Sequence, residues 1–140
     1  MVKNLLCLAA VGIALSGCVS VHETKHMPAE GAIVTEKPAQ VLRHVVLLKF
    51  KEDASGQQIK AIENAFCALS GEIDAIYDFE WGTDVSVENR SQGFTHCFVV
   101  TFRTAEDRGK YLPHPAHKEL AGSLGPYLDQ VLVLDYWTKP

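Results

Sequence analysis

The stretch AIYDFEWGTDVSVENRSQGFTHCFVVTF (75–102) decides the fold, because two alternating segments in it flank a turn-rich one. In the first segment Phe79 and Trp81 fall on one side of an extended chain, and Glu80 falls on the other. The segment 94–102 alternates in the same way, and the letters SVENRSQG between them are typical of a turn or loop. The pattern predicts two antiparallel strands joined by a long loop.

The flanking segments complete a β-α-β-β-α-β order. RHVVLLKF (43–50) predicts a first strand, and QVLVLDYW (130–137) predicts a last one. Ser55 is a candidate N-cap for a helix with an apolar stripe at helical spacing: Ile59, Ile62, Phe66 and Leu69. Thr104 can cap a second, short helix, and another begins near Pro115. This order predicts an α+β protein, a ferredoxin-like protomer with a four-stranded antiparallel sheet.

Helices on one side of such a sheet leave its other face uncovered. The strands contain so many Tyr, Phe, Trp, Val and Leu residues that this face is too apolar to remain in water. We therefore expect a homodimer in which two sheets meet face to face. Acidic residues outnumber basic ones by 17 to 13, and the basic ones are not clustered. Nucleic acid is therefore not an expected partner, since phosphate contacts need grouped lysines and arginines.

Two prolines divide the segment YLPHPAH (111–117). Pro113 disfavours helix at the residue before it, and Pro115 suits the first position of a new helix. Tyr111 therefore ends one helix, while His114 lies at a cap and bonds locally. His117 lies in the first turn of the next helix, with its ring towards the sheet. It begins a predicted stripe at helical spacing: His117, Leu120, Ala121, Leu124 and Leu128.

The chemistry of this segment has three interpretations. A helix N-terminus and partial burial both disfavour the imidazolium cation, so the pKa of His117 should be lowered and the ring neutral at pH 7. A neutral imidazole can accept a proton, and the Tyr111 phenol can donate a hydrogen bond to an oxyanion. The two residues form part of a packed core, line a pocket that binds without turnover, or serve as catalytic base and donor. No metal site or other cofactor is predicted, because no third ligand accompanies the two histidines.

Two further histidines lie on apolar strand faces. His44 shares a face with Val46 and Leu48, and His96 shares one with the phenylalanines of its strand. Such a histidine is most often a core residue bonded to a carboxylate or a carbonyl. If the ends of the two strands match, His44 lies near Phe102 and His96 near Phe50, about 20 Å from one histidine to the other.

Residues 43–137 resemble the stress-responsive dimeric α/β-barrel (Dabb) domain family. The resemblance rests on four stretches in order: RHVVLLKFK (43–51), WGTDVSVENRSQGFTHCFVVTF (81–102), YLPHPAHKEL (111–120) and VLVLDYW (131–137). It implies a protomer that pairs with a second copy into a dimeric α/β barrel. In the family's polyketide cyclases, the tyrosine and last histidine of the matching segment are the donor and the base. Carried over, these catalytic residues are Tyr111 and His117, with His44 lining the pocket. The predicted ligand pocket also includes Val46 and Leu48, on the same strand face as His44, and Leu120 of the helical stripe.

The N-terminus MVKNLLCLAAVGIALSGC (1–18) is typical of an export signal. One lysine precedes an apolar run that is too short to span a bilayer. The ending LSGC resembles the lipobox of bacterial lipoproteins, which implies that residues 1–17 are removed and that Cys18 is lipidated. Residues 18–40 would then be a lipidated tether and 41–140 the domain. The implied location is the cell envelope, at the periplasmic face of the outer membrane, with the lipid as membrane partner.

Two other patterns carry less information. HETKH (22–26) matches a zinc-protease motif, but it lies in the predicted tether, where no apolar stripe would pack such a helix. Cys67 and Cys97 can form a bridge in an exported protein, although both lie in apolar elements where free cysteine is common.

Three functions remain open from the sequence. The first is a membrane-anchored, homodimeric stress-response module that binds a small apolar or carbonyl ligand. The second is a cyclase-like or isomerase-like enzyme that uses His117 as base and Tyr111 as donor. The third is a structural accessory protein of the envelope, with no open pocket.

Overall fold

The computed structural model describes residues 38–139. The predicted leader, the lipidation site Cys18, the HETKH segment and nearly all of the predicted tether lie outside these residues. Within them, no helix is both long enough and apolar enough to cross a membrane.

The elements follow the predicted order, with the second helical region divided in two. They are β1 (Leu42–Phe50), α1 (Gly56–Glu72), β2 (Asp78–Thr83), β3 (His96–Phe102), α2 (Ala105–Tyr111), α3 (Pro115–Leu124) and β4 (Leu128–Trp137). The strands form one antiparallel sheet in the order β2-β3-β1-β4. The ferredoxin-like α+β prediction is confirmed.

Helix α1 begins at the predicted cap. Ser55 accepts a hydrogen bond from the backbone N–H of Gln58, and the Gln58 side chain accepts one from the Ser55 backbone. This reciprocal pair satisfies two N–H groups that the first turn leaves without partners. Of the predicted stripe, Ile62, Phe66 and Leu69 are buried. The Phe66 ring stacks on Phe98 of β3 with centroids 3.9 Å apart, which attaches the helix to the centre of the sheet.

The hairpin strands are shorter than predicted, and a loop of twelve residues joins them, 84–95. Phe79 and Trp81 both stack against Phe98, on the face that the helices cover. At Gly93 the backbone has φ +86° and the Lys49 side chain lies 2.8 Å from where a Cβ would stand. The Lys49 side chain is flexible enough to move, but the positive φ strongly favours glycine at this turn.

The register of β1 against β3 differs from the predicted one by two residues. His44 lies opposite Val100, and Leu48 lies opposite His96. A shift of two keeps every side chain on its predicted face, whereas a shift of one would have exchanged the faces. The two histidines are therefore about four residues apart along the strands, roughly 13 Å and not the expected 20 Å.

His96 is the core histidine that the pattern predicts. Its Nε2 lies 3.2 Å from Oε1 of Glu63 on α1, and its Nδ1 lies 2.8 Å from the Thr95 hydroxyl. The Glu63 carboxyl has a lowered pKa, chiefly because the Lys60 ammonium donates a hydrogen bond to it. Both ring nitrogens of His96 are thus satisfied. Cys67 and Cys97 are free thiols.

The sheet face away from the helices is apolar and largely open. Val45 and Leu47 of β1 lie opposite Leu134 and Leu132 of β4, and Tyr136 continues the same row. Leu132, Leu134 and Tyr136 are 44%, 55% and 46% exposed, respectively. We call this row the outer face.

Candidate functional site

The two prolines divide the helical region as predicted. Helix α2 ends at Tyr111, although Leu112 keeps helical angles (φ −58°, ψ −42°) as its C-cap. His114 is the N-cap of α3, where its Nδ1 accepts a hydrogen bond from the Ala116 backbone at 3.3 Å, and Pro115 opens the helix. The predicted local role of His114 is confirmed.

The far end of α3 differs from the prediction. The helix ends at Leu124, although its C-cap Gly125 keeps helical angles (φ −51°, ψ −41°), because Pro126 has no N–H to donate the next helical hydrogen bond. Leu128, which the periodicity assigned to the helical stripe, is instead the first residue of β4.

Tyr111 is the buried centre of an aromatic cluster. Its ring centroid lies 4.4 Å from that of His117, 5.7 Å from His44 and 5.1 Å from Phe102. Only 1% of the residue is exposed. Burial raises the pKa of its phenol far above the ordinary value, so the group stays a hydrogen-bond donor at neutral pH. Within residues 38–139 no side chain or backbone group is hydrogen-bonded to this hydroxyl.

The His117 ring is neutral at pH 7, because its pKa is lowered. Burial lowers its pKa below the ordinary 6.5, the hydrogen bond to the Leu112 carbonyl opposes this effect, and nearby His44 adds to it. The Leu112 oxygen lies 3.0 Å from Nδ1 and can only accept, so Nδ1 carries the proton. The lone pair therefore lies on Nε2, which is the form that can act as a base.

His44 is bonded to a carboxylate, as its apolar face predicts, but the sequence did not identify Asp135 as the partner. Its Nδ1 lies 2.6 Å from Oδ1 of Asp135, and the other oxygen, Oδ2, lies 2.6 Å from Nη1 of Arg108. Asp135 is the acidic residue that follows Val131 and Val133 on the same face of an apolar strand. That exception to the apolar pattern was the available signal. Arg108 carried no such signal, since α2 is polar over most of its length.

These residues line a pocket of about 550 Å³ between α3 and the sheet. Of the predicted pocket residues, five lie along it: His44, Val46, Tyr111, His117 and Leu120. Leu48 does not, because it is fully buried between its strand neighbours. The other apolar lining residues include Phe66, Ala121, Leu124, Leu128, Val131 and Val133. A pocket of this size favours the two ligand-binding interpretations over an accessory protein with a filled core.

The charges around the pocket favour a neutral ligand. The described lining residues include no lysine or arginine, and the single carboxylate, that of Asp129, lies 2.9 Å from the Lys49 ammonium. Nor does the part of the chain described contain three His, Cys, Asp or Glu side chains grouped to hold a metal ion. The polar lining is dominated by the two imidazoles and the phenol.

Fold and pocket together define a ferredoxin-like domain with an apolar pocket between helix and sheet, and comparison with known proteins identifies its family. The pattern of the stress responsive A/B barrel domain (Dabb) matches residues 42–138. This chain belongs to the Dabb family.

Two plant proteins are similar to most of the domain. The stress-response A/B barrel domain-containing protein HS1 of Arabidopsis thaliana is 41% identical over 95 residues, which are 68% of this chain and 87% of that protein. Olivetolic acid cyclase of Cannabis sativa is 32% identical over 95 residues, covering 68% and 94%. The family thus includes at least one protein named as an enzyme.

Solved structures agree with the fold. A hydroxynitrile lyase from Passiflora edulis is 30% identical, with a TM-score of 0.68, over 73% of this chain and 96% of its own. A dimeric ferredoxin-like protein of unknown function from Thermobifida fusca has a TM-score of 0.61 at 16% identity, over 70% and 91%. The second likeness shows the fold alone, and that protein is described as a dimer.

Proposed function

We propose that the domain binds a small neutral carbonyl compound in the helix–sheet pocket. The observation that carries this proposal is the Tyr111 hydroxyl, which has no protein partner within residues 38–139 and belongs to a residue that lines an apolar pocket. No buried side-chain polar atom of the described residues lacks a partner, so this hydroxyl is accessible and can donate to a ligand oxygen.

The pocket also limits the ligand's size and charge. A volume of about 550 Å³ suits a small organic molecule. Without a cation in the described lining, a free carboxylate or phosphate would lose its water and gain no partner. The apolar walls suit an alkyl or aryl group, and the phenol suits its carbonyl oxygen.

An enzyme that moves a proton next to a carbonyl is the second candidate. It is favoured by the His117 tautomer, because a neutral ring with its lone pair on Nε2 lies against a phenol that can stabilise an oxyanion. Two relatives are named a cyclase and a hydroxynitrile lyase, and hydroxynitriles are adducts of carbonyl compounds. Their names support this candidate for the present chain.

The assembly around the pocket completes the proposal. The apolar outer face and the dimeric neighbours support a homodimer. The LSGC ending supports a lipid anchor at Cys18 in the bacterial envelope, facing the periplasm. Labelling with a palmitate analogue tests the anchor, since Cys18→Ala should lose the label and leave the protein in the soluble fraction.

Binding is tested on the purified protein by native mass spectrometry and by titration with benzoylacetone, a neutral β-diketone. We expect a co-purified or added ligand on wild type and markedly less on His117→Ala. A wild type that binds neither a co-purified compound nor the diketone contradicts the proposal.

Turnover separates the two candidates. Wild type is incubated with a poly-β-ketone and with a hydroxynitrile, alongside Tyr111→Phe and His117→Ala. The enzyme candidate requires that wild type turns over one of these compounds. Both variants must lose this turnover while they remain folded dimers. If wild type binds a ligand but turns over neither compound, the result supports the binding module and contradicts the enzyme.

A further inference from the structure

Arg108 lies outside the pocket but is connected through Asp135 to His44, which lines it. Its guanidinium lies 2.6 Å from Oδ2 of Asp135, and the other oxygen of that carboxylate lies 2.6 Å from Nδ1 of His44. The three side chains come from α2, β4 and β1, respectively. Arg108 does not line the pocket, whereas His44 does.

The chemistry of the three groups determines which oxygen of Asp135 faces His44. A guanidinium is always charged, and its planar donors hold a carboxylate in one orientation. With Oδ2 held by Arg108, Asp135 presents Oδ1 to His44, and a carboxylate can only accept. Whenever His44 carries a single ring proton, that proton is therefore on Nδ1, beside Asp135.

The same contact anchors helix α2. This helix has seven residues, and Tyr111 is its only buried one. Its other charged pair, Lys110 with Asp107, lies within the helix itself and does not attach it to the sheet. The Arg108–Asp135 pair therefore joins the helix that carries Tyr111 to the strand next to His44.

We propose that Arg108 is a positioning residue of the pocket, which acts through Asp135 to orient His44 and to hold Tyr111 beside it. The ligand part of this proposal rests on the proposed function. The orientation of His44 does not, because it is a property of the ligand-free protein.

The first test uses nuclear magnetic resonance on the ligand-free protein. Long-range ¹H–¹⁵N spectra at about pH 8.5, where an ordinary imidazole is neutral, distinguish the two tautomers of His44. We expect the Nδ1–H form in wild type, and its absence would overturn the proposal without any variant. Arg108→Met should move the His44 ring signals. Arg103→Met is the matched control, since Arg103 stacks on the Tyr77 ring 4.3 Å away and should leave the His44 signals in place.

A double-mutant cycle then tests whether the effect passes through Asp135. Arg108→Met should shift the His44 signals in wild type and have little further effect in Asp135→Asn. An equal shift in both backgrounds, or none in either, would overturn the proposal. Arg108→Lys keeps the charge without the planar fork and should give an intermediate shift, which keeps the test usable if the methionine variant folds poorly.

The same cycle is measured on benzoylacetone affinity. We expect Arg108→Met to weaken binding about tenfold in wild type, which corresponds to about 1.4 kcal/mol, and much less in Asp135→Asn. Unchanged affinity in Arg108→Met overturns the ligand part of the proposal. If wild type binds no diketone, the proposed ligand class fails, and the His44 signals alone decide the role of Arg108.

Discussion

The ring and the hydroxyl of Tyr111 have different roles. The ring packs in the core. The hydroxyl, which is the proposed ligand contact, has no protein partner within residues 38–139. We expect Tyr111→Phe to change the free energy of unfolding by less than about 0.5 kcal/mol, since the ring and its contacts remain. Ligand binding should fall sharply in the same variant, because the donor is lost. Urea unfolding and diketone titration measure the two effects.

The control for this experiment is Tyr111→Ala, which removes the ring as well. It should cost about 3–5 kcal/mol of stability, as expected for an aromatic residue deleted from a core. If Tyr111→Phe lost stability to a similar extent, the hydroxyl would have a structural partner and the pocket argument would fail.

His117 should titrate below the ordinary imidazole value of 6.5, chiefly because burial lowers its pKa. The unfolded chain then binds more protons than the folded one between 6.5 and the lowered pKa. The stability that this ring contributes is therefore present above pH 6.5 and is lost as the pH falls through the lowered pKa. Any turnover that uses the ring as base should decline over the same range.

A nuclear magnetic resonance titration of the His117 ring protons measures its midpoint directly. His117→Gln provides the comparison for stability, because its unfolding free energy should depend less on pH in this window than that of wild type. A midpoint above 6.5 would contradict the burial argument.

The sequence predicted the Tyr111–His117 pair because the two prolines determine where one helix ends and the next begins. It did not predict the Arg108–Asp135–His44 contacts, since these depend on which strands are neighbours and on their register. Leu48 was assigned to the pocket because it shares a face with His44. Only the packing around Leu48 shows that it is buried in the core.

At the scale of elements, the sequence predicted the helix N-termini correctly from their capping residues. Ser55 and Thr104 cap the helices at which the sequence placed them, and each side chain accepts a hydrogen bond from the helix's first turn. These signals depend on neighbouring residues alone. The β1–β3 register, by contrast, depends on pairing between distant segments, and alternation constrains it only to a shift of an even number of residues.

The cap of α1 gives a quantitative prediction. Ser55→Ala removes both hydrogen bonds of the Ser55 hydroxyl, while the Ser55 backbone N–H can still donate to Gln58, and it should cost about 0.5–2 kcal/mol. Ser70→Ala is the matched control. It lies near the end of the same helix, exposed, with its hydroxyl bonded to the Cys67 carbonyl. Because alanine favours helix more than serine does, this variant should be neutral or slightly stabilising.

Urea midpoints of the two variants are compared at equal slope, so that a change in midpoint reports a change in stability. Equal effects of Ser55→Ala and Ser70→Ala would mean that the capping box contributes little to the folded domain.

At the scale of the whole molecule, the apolar surface is divided between two faces of one sheet. The helices cover one face and leave the pocket at its β4 side, while the outer face has no covering element within residues 38–139. An exposed apolar row of this kind is typical of a protein interface. The pocket and the proposed dimer surface are therefore on opposite sides of β1 and β4, so that each can be changed without the other.

That separation makes the homodimer testable without disturbing the pocket. Leu134 is 55% exposed on the outer face, directly opposite Val45 in the neighbouring strand. We expect Leu134→Glu to convert a dimer of residues 41–140 into a monomer, because two copies of the new carboxylate would be buried without partners. Ala61→Glu adds the same charge at an exposed position of α1 and should leave the dimer intact.

Native mass spectrometry gives the mass of each species, and diketone titration of the monomer reports whether its pocket survives. A wild type that is monomeric, or a Leu134→Glu variant that remains dimeric, would contradict assembly through the outer face.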